Sequence, residues 1–149
     1  MRKRIARSMA GLVMGVGMLG AVGGTAWAAM SGSIPNFSTN GAAFSGGTYR
    51  FDPWPCTSAC YQGTWSGWHY SGKLADTKDD GHTIFMHGKV DGYGWGPNIS
   101  WRGGANTSTP VSQWLIGGAD PVQTGQLEIC VNRGVLPDYC AKSVVISRH

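Results

Sequence analysis

The sequence predicts an all-β domain, a small antiparallel β-sandwich or barrel stapled by two disulfides. Three features predict it. From Tyr49 onward, short apolar runs are broken by Gly, Pro, Asn or Asp about every 8–12 residues, and nothing reads as a long amphipathic helix. Two segments alternate with period two. In "GWHYSGKLAD", Trp68, Tyr70, Gly72 and Leu74 share one parity; in "TIFMHGKVDGY", Ile84, Met86, Gly88 and Val90 do. The third feature is an even number of cysteines behind an export-type leader.

The leader comes first. "MRKRIARS" carries four bases and no acid, "MAGLVMGVGMLGAVGG" is small and apolar, and Ala26 and Ala28 stand in a small-x-small pattern. That is the tripartite signal of secretion, with a cut expected after Ala28. The apolar run is short and glycine-rich for a spanning helix, so no membrane segment is expected in the mature chain. Four of the 12 basic residues lie in the leader, which leaves eight bases against eight acids. The basic pI therefore belongs largely to the leader, and no basic patch remains to argue for nucleic acid.

The mature chain suits one domain with one core. Residues 29–47 are dominated by small and polar side chains and are read as a flexible N-terminal arm, with a single β domain over 48–149. Strands are expected near 63–75, 82–93, 98–102, 111–116, 125–132 and 142–147.

Cys56, Cys60, Cys130 and Cys140 allow three pairings. The local pairing, Cys56 with Cys60 and Cys130 with Cys140, is preferred. Loop-closure entropy favours the longer-range pairings and so does not choose between them. Neither "CTSAC" nor "CVNRGVLPDYC" has convincing zinc-ribbon spacing.

Between the two alternating segments lies "DTKDDGH". "KDDG" fits a type I turn closing a hairpin, with Gly81 left-handed and Asp76 and Asp79 bonding to nearby amides. An EF-hand reading fails because Lys78 and His87 occupy positions that need ligand oxygens. His69 and His87 fall on neighbouring expected strands, on the polar face, as ordinary surface histidines. No HExxH, GxSxG or Walker loop occurs, Glu128 is the sole glutamate, and most aspartates sit in turn-like contexts. The residues thus argue against an enzyme and name no cofactor.

The run "GTWSGWHYSGKLADTKDDGHTIFMHGKVDGYGW" followed by "LEICVNRGVLPDYC" resembles a group of small exported proteins of filamentous soil actinobacteria, which share a strand, a "DTKxDG" turn, a second strand and a C-terminal cysteine segment. The resemblance implies export and a β fold and carries over no catalytic residue.

Aromatic content is the main functional signal. Parity assigns Trp68 to the core, and Trp101 with Ile99 and Trp114 with Ile116 are expected there too. Trp54 in "FDPWPC" and Trp95 in "DGYGWG" fall in loops. Exposed rings stack on sugars or fill partner pockets. One reading is therefore an extracellular binding or structural module for cell-wall or environmental polysaccharide, with Trp54, Tyr93 and Trp95 gathered at one site. The alternative is an inhibitor of an extracellular protease that presents Arg133 and Leu136 on a loop closed by Cys130–Cys140.

Overall fold

The computed structural model describes residues 26–56, 60, 65–117 and 121–149. Among the described residues ten strands form: β1 Met30–Ile34, β2 Phe37–Thr39, β3 Ala42–Phe51, β4 Gly67–Asp76, β5 Thr83–Val90, β6 Ile99–Trp101, β7 Thr107–Ile116, β8 Thr124–Asn132, β9 Tyr139–Lys142 and β10 Ile146–Ser147. They make two antiparallel sheets. One runs β1-β3-β4-β7 with β2 also on β3; the other runs β10-β8-β5-β6 with β9 also on β8. The fold is a sandwich, and both disulfides have the local pairing, Cys56–Cys60 and Cys130–Cys140. Two disulfides fit an oxidising compartment. Among the described residues, no helix is long and apolar enough to cross a membrane.

The alternation expected in β4 and β5 holds. Trp68, Tyr70 and Leu74 face Ile84, Met86, Leu127, Ile129 and Val131 across a closed core. Aromatic rings dominate it: Phe51 stacks on Trp68 at 6.2 Å, and Trp68 lies 5.4 Å from Tyr70. Burial pushes the Tyr70 phenol above its ordinary pKa, and its hydroxyl donates to Gln113 Oε1.

Four expectations are corrected. Residues 30–47 are no loose arm, because β1, β2 and most of β3 pair into the first sheet and bury Ile34, Ala42 and Phe44. A bulge between Ser45 and Thr48 moves the inward parity from Ala42 and Phe44 to Tyr49 and Phe51, and Gly46 N donates to Asn36 Oδ1 beside it. The domain therefore begins well before residue 48. The leader expected over 1–28 lies outside the described residues up to residue 25. Trp27, on its side of the expected cut, bridges Trp54 through two backbone bonds.

The second correction concerns "DTKDDG". β4 pairs with β3 and β7, and β5 with β6 and β8, so the link crosses between sheets rather than closing a hairpin. Two half-apolar strands bury their faces equally well when opposed across a core as when side by side, and sequence periodicity does not separate the two. His69 and His87 consequently sit on different sheets. The turn chemistry stands in part: Lys78 N donates to Asp76 Oδ1 and Gly81 has φ +69°, but the second amide, His82 N, donates to Asp80 Oδ1 rather than to the expected Asp79. The His82 amide holds the Asp80 carboxyl below its ordinary pKa. Gly81→Ala should lower stability by about 1 kcal/mol, since an L side chain resists positive φ. An unchanged urea midpoint would show that the link does not need the left-handed residue.

Third, Trp114 is not core. Val111 and Leu115 of β7 point inward, so Trp114 and Ile116 lie on the other parity. Trp114 packs 4.7 Å from the His69 ring, with the Arg50 guanidinium 5.9 Å from its centroid. Partial burial, aided by Arg50, lowers the His69 pKa. Fourth, the strand expected at 142–147 is two strands. Ser143 breaks it, its backbone N donating to Leu127 O and its Oγ accepting from Leu127 N.

Candidate functional site

The site begins where β5 ends. Val90 is buried; Asp91 and Gly92 then turn the chain out, with Gly92 at φ +78°. The Asp91 carboxylate accepts from Gln123 N at 2.8 Å and Thr124 N at 2.7 Å, which fastens the turn to the start of β8. The chain doubles back along β5, and Gly96 N donates to Gly88 O at 2.7 Å. The tight return uses glycine: a Cβ on Gly96 would stand 2.8 Å from Leu115 Cδ2.

This return leg carries the two aromatics. Tyr93 is 54% exposed, and its hydroxyl reaches across to donate to Gly117 O, at the end of β7, at 2.9 Å. Trp95 lies flat on the outside of the second sheet, stacked on His87 at 4.6 Å with 16° between the rings. His87 is held at both nitrogens. Nε2 donates to Glu128 Oε2 at 2.8 Å, and Nδ1 stands 2.8 Å from the Asn98 side-chain amide. Glu128 also meets Lys142 Nζ at 3.6 Å. The ammonium groups of Lys89 and Lys142 lie 4.9 and 5.6 Å from the Trp95 ring.

Three clefts of about 290, 200 and 430 Å³ surround this loop, and Tyr93 lines all of them. The first is walled by Trp95, Tyr93, Leu115 and Ile116, with Gly88, Gly94 and Gly96 exposing backbone and Lys89 at its edge. The second continues past Lys89 to Gln126 and the exposed Val145.

Of the three aromatics read as a site, Tyr93 and Trp95 are brought together. Trp54 lines none of these clefts and is tied to Trp27. Sequence reasoning missed Lys89, Ile116 and His87. Outward parity on β5 placed His87 and Lys89 on one face, but the loop that lays Trp95 over them carries no periodic signal. A histidine–carboxylate pair is half of a nucleophilic triad. Here Nε2 faces Glu128 and Nδ1 faces the Asn98 side chain rather than a hydroxyl or a thiol.

The hairpin of β8 and β9 is clamped by Cys130–Cys140, whose Cα atoms are 4.1 Å apart. Its tip is braced by Arg133 N to Asp138 Oδ1, Gly134 N to Asn132 Oδ1 and Leu136 N to Arg133 O. Arg133 folds back, its guanidinium 4.1 Å over Tyr139 and its Nη1 donating to Pro137 O. Val135 is fully exposed and Leu136 half exposed. A loop bound like a substrate must be extended, whereas residues 133–136 are closed into a turn. Glu128, Cys130 and Cys140 bring one carboxylate and two sulfurs within 4.8 Å, but the sulfurs are bonded to each other and offer no thiolate to a metal.

Comparison of the chain with protein-family models, with curated proteins and with solved structures finds no match.

Proposed function

We propose that the chain is an exported, non-enzymatic module that binds saccharide at the Tyr93 clefts. The observation that carries the reading is Tyr93 itself, a half-exposed aromatic at the meeting point of three adjoining clefts, beside a Trp95 already fixed flat by His87. Rings of this kind offer large apolar area to the CH faces of sugars with little conformational freedom left to lose. The cleft volumes approach the roughly 300–1,000 Å³ of small-ligand sites. The leader pattern and the two disulfides support export to an oxidising exterior.

Sedimentation with cellulose, chitin, insoluble pectate and peptidoglycan tests the reading. Retention on at least one matrix is expected, and Tyr93→Ala should weaken it about tenfold, the equivalent of one well-placed stack. Its thermal midpoint should change little, because the side chain is half exposed. Absence of retention on all four matrices ends the reading.

A further inference from the structure

We infer that the saccharide taken by this cleft is acidic, with a carboxylate that meets the Lys89 ammonium; the inference rests on the saccharide reading above. Among the described residues, Lys89 is the only charged side chain lining the first cleft, and it lines the second as well. Its ammonium stands 4.9 Å from the Trp95 ring, and no carboxylate forms an ion pair with it among the described residues. The neighbouring acids are committed elsewhere. Asp91 lines the second and third clefts but not the first, and its carboxylate accepts from two backbone amides at the start of β8. Glu128 is shared between His87 and Lys142. The other described residues of the first cleft are aromatic, aliphatic or glycine and supply no counter-charge.

A cation beside an aromatic platform in a partly enclosed groove matches a ring that presents CH groups on one face and an acid at its edge. Exclusion of water strengthens the attraction relative to an exposed pair. Lys142 lies 5.6 Å from the same ring, with its charge shared with Glu128. A neutral sugar would bring no counter-charge to the Lys89 ammonium in the first cleft. A lone ammonium, with no guanidinium lining the clefts among the described residues, suits a monodentate carboxylate rather than the bidentate fork that arginine offers. Two sources share this chemistry: the uronic acids of pectate-like polymers, and the stem-peptide carboxylates of peptidoglycan.

Native affinity electrophoresis through gels containing polygalacturonate, its carboxyl-reduced form or hydroxyethylcellulose, with sedimentation on peptidoglycan sacculi, tests it with the full mature chain. Expected is binding to polygalacturonate or to sacculi at least about tenfold tighter than to either neutral polymer, and weakened by high salt. Which acidic polymer is bound distinguishes the two sources. Lys89→Gln should fall to the neutral-polymer level, and Lys89→Arg, which keeps the charge, should retain binding and report that the fold is intact. Equal binding to polygalacturonate and its carboxyl-reduced form would overturn the acidic class while leaving saccharide binding in place, as would a folded Lys89→Gln that binds like the parent. No binding to any polymer would remove both.

Discussion

Replacing Trp68 by alanine should lower stability by about 3–5 kcal/mol, much of what a domain this size has. Trp68 is fully buried, stacks on Phe51, touches Tyr70 and is the largest fully buried side chain. It also crosses the sandwich. Gly125 on β8 leaves room for the indole, and a Cβ there would stand 2.3 Å from Trp68 Cε2. Gly125→Ala should therefore cost about 1–3 kcal/mol by overpacking. Built into Trp68→Ala, the same methyl should cost far less, because the ring it opposes is gone. Urea denaturation of the four proteins reads this coupling directly. Additive losses would show that the indole and Gly125 do not interlock the sheets. Trp68→Phe should cost less than Trp68→Ala, since Trp68 Nε1 has no hydrogen-bond partner in the core and its loss breaks no bond.

This contact also shows why part of the fold was legible and part was not. Trp68, Tyr70 and Leu74 announced β4 by parity, as Ile84, Met86 and Val90 announced β5. Residues 30–47 announced nothing, for two physical reasons. The bulge between Ser45 and Thr48 resets the parity, so no single alternation spans β3. Glycines also stand where apolar residues would have marked an inward position: Gly47 and Gly72 lie against the Phe44 ring, and a Cβ on either would come within 2.4 Å of it. One aromatic covers what two strands would otherwise fill. The hairpin expected at "DTKDDG" failed differently, because local turn chemistry is the same whether the next strand returns beside the first or opposite it.

The site was legible only as composition. Aromatics among glycines marked Tyr93 and Trp95 as loop residues free of the core. Trp54, set between two prolines, also reads as a loop residue but is diverted by its backbone bonds to Trp27. The prop beneath Trp95 needs the register between β5 and β8 that sets His87 opposite Glu128, and between β8 and β9 that sets Glu128 opposite Lys142. Single-strand periodicity does not contain cross-strand register.

That register depends on the Cys130–Cys140 bond, and replacing both cysteines by alanine should lower stability by about 3 kcal/mol on the chain-entropy model for a ten-residue separation. The Cys56–Cys60 bond closes a shorter loop and should contribute less on the same model. The reason to expect the full effect at β9 is its own weakness. It is four residues long and mostly exposed, with only Ala141 packed against the core. Its ladder to β8, the disulfide and its contact with β2 are what hold it. Hydrogen exchange should accordingly show the amides of β9 losing protection first, while those of β4 change only with the global stability. Loosened β9 would also release Lys142 from Glu128 and from the Trp95 ring. The double variant should thus bind acidic polymer more weakly at temperatures where β4 is still fully protected. Uniform loss of protection in β4 and β9 would mean that the hairpin is not a separate unit and that the bond acts on the whole sandwich.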